Sequence, residues 1–152
     1  MKTFKDNADR TWTLSINVDA IKRARSLASV DLLAVLDDGC KLLAQLHDDP
    51  ILLVDTLYAI CKPDAERLGV SDVDFGRAMA GDAILHAAEA LFADLIDFFP
   101  DAQKRKTARD LLSKLTNLSN KVMAHAQAMV EAIDEDSAAA KLINSFGNSP
   151  AA

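Results

Sequence analysis

The chain has 152 residues, half of them apolar and only 5% aromatic, which suits one domain with a core of Leu, Ile, Val and Ala. The net charge of -6 is uneven: residues 31–100 carry four basic and fourteen acidic side chains. An acidic centre repels phosphate backbones and excludes nucleic acid as the main partner, and no apolar run reaches the roughly 18 residues of a membrane span. The polar start "MKTFKDNADR" has no apolar signal region, so a soluble, cytoplasmic protein is expected.

In chain order, "TFK" and "RTWTLSINV" read as a strand pair around the turn residues Asp6 to Asp9. Trp12, Leu14, Ile16 and Val18 alternate with polar residues, so one face of the second strand is expected to rest on helices. Asp19 is placed to cap a helix with Ile21, Ala24 and Leu27 inside and Lys22, Arg23 and Arg25 outside. Asp31 is placed to cap the short "LLAVL", and "CKLLAQL" follows Gly39. Asp49-Pro50 starts the apolar helix "PILLVDTLYAICK", expected at the centre of the fold and ended by Pro63. A short helix, "DAERLG", then closes at a left-handed Gly69 with Val70 packing back.

"VSDVDFGRAMAGD" contains the triplet Asp74-Phe75-Gly76, which holds magnesium in protein kinases. No catalytic loop, phosphate loop or strand lysine accompanies it. The local grammar is that of helix punctuation: Ser71 as N-cap, Asp74 three residues on, and Val70 and Phe75 as a hydrophobic staple. Met79 is expected to continue the Phe75 face. Gly81-Asp82 opens the next helix, with Ile84, Ala88, Leu91, Leu95 and Phe98 on one stripe and Pro100 as its stop.

From Asp101 to about Asp134 there is neither glycine nor proline. Leu111, Leu115, Leu118, Val122, Met129 and Ile133 recur at three- and four-residue steps, with His125 at one seam position. These six apolar residues are the candidate partner-binding set. Their seam suits the body of the protein, a second copy, or the helix of another protein. Residues 137–152, "SAAAKLINSFGNSPAA", look frayed.

Candidate chemistry is sparse. Cys40 and Cys61 form no CxxC pair and lie in apolar helical contexts. His47-Asp48-Asp49 is a helix end, and His86 and His125 lack metal-ligand companions. No nucleophile motif is present, so no catalytic residue, metal or cofactor is expected and the function is expected to be non-enzymatic.

Three stretches carry a resemblance: "FKDNADRTWTLSINVDAIKRARSLASVDLL", "LLAQLHDDPILLVDTLYAICKPDAERLGVSDVDFGRAMAGD" and "LFADLIDFFP". A hairpin around Arg10 and Trp12, a helix, an apolar helix opened by Asp-Pro, a capped "SDxDFG" helix and a helix ending "FFP" follow in that order. Over residues 2–110 the chain resembles the tail assembly chaperones of long-tailed bacteriophages. The resemblance implies a protein of the infected bacterial cytoplasm, absent from the mature virion. It would bind the tape measure protein and help recruit tail tube subunits, while the apolar seam leaves a homo-oligomer open as well. It also implies that this chain is the short form where a frameshift adds a second domain. The alternatives are a structural tail or head–tail component kept in the virion, and a small helical adaptor or regulator.

The expected architecture is mostly α, a single helical domain with a small N-terminal β-hairpin and a long C-terminal helix. Residues 1–100 form the hairpin and helical core, 101–136 the long amphipathic helix, and 137–152 a flexible tail.

Overall fold

The computed structural model describes residues 1–133 and 135–147. Among the described residues the protein is mostly α, with a two-stranded antiparallel sheet followed by seven α-helices. The contacts divide the chain into two compact units, Met1–Leu112 and Ser113–Ala152, a boundary that falls inside the sixth helix.

Strand β1 (Lys2–Lys5) pairs with β2 (Thr11–Leu14), Phe4 opposite Trp12 and Lys2 opposite Leu14. The inward side of this register is fully buried: Phe4, Trp12 and Leu14. The alternation ends there. Ile16 is half-buried, and Val18 is exposed as the first residue of α1 (Val18–Ala28).

Asn17, not Asp19, caps α1, accepting from the Ala20 N–H at 2.9 Å. Asp19 lies in the first turn, where its charge favours the helix N-terminus and pairs with Arg23. The buried face is Ala20, Ile21 and Ala24, while Leu27 points to solvent. A 3-10 turn, Leu32–Ala34, is capped by Asp31, and a second, Asp38–Cys40, leads into α2 (Lys41–Asp48).

Helix α3 (Pro50–Leu68) is the hub of the first unit, packing on α1, α2, β2, α4 and α5. Asp49 caps it, accepting from the N–H groups of Ile51 and Leu52. Pro63 does not end this helix. It removes one intrahelical donor and leaves the Ala59 carbonyl without its usual partner. The Arg23 guanidinium fills that gap, donating to Ala59 O and Ile60 O at 3.0 Å each. Arg23 is therefore a half-buried clamp between α1 and α3 and not an outward charge. The helix stops at Gly69 (φ 67°), whose left-handed backbone is nearly free of cost only for glycine. Val70 folds back, its N–H donating to Ala65 O.

Helix α4 (Asp72–Arg77) begins as the sequence suggests: Ser71 Oγ accepts from the Asp74 N–H at 3.1 Å. The box is modified, because the Ser71 hydroxyl also donates to the Asp74 carboxylate at 2.9 Å. Val70 and Phe75, the two staple positions, are buried. The helix stops at Arg77, before buried Met79. Gly81 (φ 57°, ψ −128°) then leads into α5 (Asp82–Phe98). The buried stripe of α5 runs through Ala83, Ala87, Ala90, Leu91, Asp94 and Leu95, rotated from the predicted one. Ile84, Ala88 and Phe98 sit at its half-buried edge.

Helix α6 (Ala102–Glu131) is capped by Asp101, which accepts from the Gln103 and Lys104 N–H groups. Its thirty residues span about 45 Å. Arg105 returns to the end of α5 through Phe99 O and Pro100 O, Arg109 pairs with Asp97, and Ala108 is buried.

Residues Glu135–Gly147 form helix α7, where the sequence suggests a frayed tail. Ala138 to Ala140 and the following Lys-Leu favour helix once glycine is absent, and Gly147 is its last residue. Residues 148–152 of that stretch lie outside the described residues.

Candidate functional site

Two places concentrate the features singled out in the sequence. The first is where the hairpin meets α4. Phe75 is wholly buried against Trp12, ring centroids 4.9 Å apart in an edge-on arrangement, and lies 5.5 Å from Tyr58. Arg10 lies over the Trp12 ring at 5.6 Å, and its guanidinium donates to Asp6 at 2.7 Å and to Asp74 O at 3.3 Å. Asn7 adds two bonds to the end of α4, backbone to Ala78 O and side chain to Ala80 O. The hairpin around Arg10 and Trp12 and the "SDVDFG" segment, far apart in sequence, thus form one joint.

Asp6 organises the turn. Its carboxylate accepts from the Trp12 indole at 2.8 Å, from the N–H groups of Ala8 and Arg10, and from the Arg10 side chain. Burial works to raise its pKa, but these donors together outweigh it and hold the carboxyl below its ordinary 3.8. Sequence reading treats Asp6 as a turn residue only. The signal available was an Asp followed by Arg and Trp at positions that a tight hairpin brings inward.

Asp94 is the other buried acid that sequence reading missed. It accepts from the Ile16 N–H at 2.6 Å and pairs with the Met1 amino group at 2.5 Å. It fixes the end of the hairpin onto α5 where regular pairing has stopped.

The joint offers little for bond-making chemistry. Asp74 is engaged by Ser71 and Arg77, Phe75 is core, and Gly76 lies on the helix surface. Burial, with the charge of Asp64, pushes the Cys61 thiol up to about 12, against the opposing pull of Arg23, so it stays protonated at neutral pH. Cys61 points at Thr13 O, 4.0 Å away. His47 pairs locally with Asp48 at 2.7 Å. Burial, then the charges of Asp72 and Asp49, raise the pKa of Asp55, which is exposed. Among the described residues no group of three or more His, Cys, Asp or Glu side chains is placed to hold a metal ion. None of their helices is long and apolar enough to cross a membrane.

The second place is the apolar seam of α6. Leu111 and Leu115 are half-buried. Leu118, Val122 and Met129 on the helix, and Ile133 just beyond it, are 57–60% exposed. His125 shares that face and is exposed as well. Met123 and Val130 widen it, and α7 adds exposed Leu142, Ile143 and Phe146. Among the described residues none beyond Ala108 is buried. The six predicted residues therefore lie on or beside one helix, and four of them are open to solvent. In this chain that face is exposed and contributes nothing to a buried core.

No family model, no curated protein and no solved structure matches the chain.

Proposed function

We propose that the protein is a tail assembly chaperone of a long-tailed bacteriophage. It acts without chemistry of its own, binding the tape measure protein in the infected cytoplasm and helping tail tube subunits gather around it. The observation that carries this reading is the exposed apolar face of α6, from Leu118 through Met129. A tape measure protein is a long helical chain, and a helix with open three- and four-residue apolar spacing is the complement such a client needs. Within the first unit, the hairpin around Arg10 and Trp12 is tied to the "SDVDFG" helix by ring packing and hydrogen bonds. The test is co-expression with the tape measure protein encoded beside it. Retention of the client in the soluble fraction and co-purification are expected. Neither would occur if the reading is wrong, and stoichiometric presence in purified particles would point instead to a structural tail component.

A further inference from the structure

Two hollows open side by side on the first unit and share Asp55. One, of about 280 Å³, is lined by Ile51, Val54, Gly76, Met79 and Ile84 and is apolar but for Asp55. The other, of about 260 Å³, is bounded by Leu27, Tyr58, Lys62 and Asp72. Ile51, Asp55, Tyr58 and Lys62 follow at four-, three- and four-residue steps. The hollows therefore form one groove along a face of α3, three turns or about 16 Å long. Ile51 in the first hollow and Leu27 in the second are open to solvent.

Two residues of this groove are not required by the fold. Gly76 lies inside α4 without a left-handed backbone, and a β-carbon there would meet no atom within 4 Å. Glycine inside a helix is destabilising relative to alanine, so α4 gains nothing from it. Its missing side chain leaves the first hollow open. Asp55 lies in the body of α3, exposed, away from the helix N-terminus that would favour its charge. Asp49 and Asp72 do serve the N-termini of α3 and α4. None of these three acids forms an ion pair among the described residues. Burial, and then the charges of Asp72 and Asp49, raise the pKa of Asp55. The one cation bounding the groove, Lys62, is held by Glu66 at 3.4 Å and lies over the Tyr58 ring.

An apolar groove with an unrelieved acidic wall complements a helix that carries an apolar stripe and a cation beside it. The same acids repel anionic ligands. We infer that this groove is a docking site for a basic amphipathic helix of a partner protein. An apolar side chain of that helix enters beside Gly76, and a lysine or arginine on its next turn reaches Asp55. The site does not rest on the chaperone reading, and the two fail separately. A soluble tape measure protein with the groove unable to bind sinks only the present inference. An occupied groove with an insoluble client sinks only the chaperone assignment.

The test uses the full chain and a fluorescein-labelled helical peptide of leucine and lysine, its leucines at three- and four-residue steps. A second peptide has glutamate in place of lysine. Fluorescence anisotropy is expected to show saturable, salt-sensitive binding of the lysine peptide and none of the glutamate peptide. Failure of the lysine peptide to bind, or equal binding of both, overturns the inference. Gly76→Leu, which fills the first hollow, should lower the affinity by at least about tenfold. Asp55→Lys should lower it as well and flatten its dependence on salt. Leu118→Ser, on the exposed face of α6, should leave it unchanged. A comparable loss there places the peptide on α6 and overturns the assignment to the groove. The fluorescence of Trp12, the one tryptophan, reports whether Gly76→Leu preserves the packing of the neighbouring Phe75. If that signal shifts, Asp55→Lys decides, and full affinity with unchanged salt dependence overturns the inference.

Discussion

The two compact units use similar apolar residues in opposite ways. In Met1–Leu112 the largest buried side chains pack inside the unit: Trp12 meets Phe75, and Leu57 and Leu91 are wholly buried. In Ser113–Ala152 the apolar side chains Leu118, Val122, Met129 and Phe146 stay open. The burial of an average Leu or Phe is worth about 1.5–3 kcal/mol, so the first unit draws its stability from within. The second leaves the same kind of side chain in solvent. Periodic spacing alone does not separate these cases, because the same 3–4 step builds a core and an interface.

The comparison breaks most easily at the joint. Phe75→Ala removes the ring between Trp12 and Tyr58 and should cost about 4 kcal/mol, read from the urea midpoint. If the loss is small, the first unit is not held by that cluster. Asp6→Ala strands the Trp12 indole and the Arg10 guanidinium and should cost about 3 kcal/mol in the same assay. Asp6 also sets an acid limb. Its folded pKa lies below the ordinary 3.8, so its contribution is complete above that value and is lost as pH falls through the folded one. Asp6→Asn should flatten that part of the stability–pH curve. Ser71→Ala, which removes one cap of α4, should cost about 1 kcal/mol.

The smallest stability effect belongs to the second unit. Polar substitution of Leu118 and Val122 together should change unfolding of the first unit by less than about 0.5 kcal/mol, as exposed positions usually do. It should nonetheless weaken association measured by sedimentation. A collapse in melting with assembly untouched would make the seam an internal contact and erase the distinction between the units.

Much of the fold was legible because it rests on local rules. The hairpin, the caps at Asp31, Asp49 and Ser71, the stop at Gly69 and the long α6 all follow from neighbouring residues. The failures occur where a distant group intervenes. Asn17, two residues before Asp19 and an equally suitable acceptor, takes the cap assigned to Asp19. Pro63 reads as a terminator because its rescuer, Arg23, is forty residues away. Asp94 looks like part of a polar helix edge until the end of β2 is brought to it. Within the candidate site, the α6 spacing was visible but its exposure was not, since exposure depends on what the rest of the chain already occupies. Helix α7 was hidden by small residues that read as filler in a terminal segment.

The Arg23 clamp has a further consequence. It grips α3 by two carbonyl oxygens, atoms every residue type possesses, so these two hydrogen bonds, unlike the buried packing of Ala59 and Ile60, do not depend on the side chains at those positions. The tie is to Pro63 instead, since only an imino acid there vacates the first acceptor. Replacing Pro63 by alanine returns a donor to Ala59 and makes the two compete for one oxygen. Pro63 and Arg23 thus act on one carbonyl although their side chains share no chemistry.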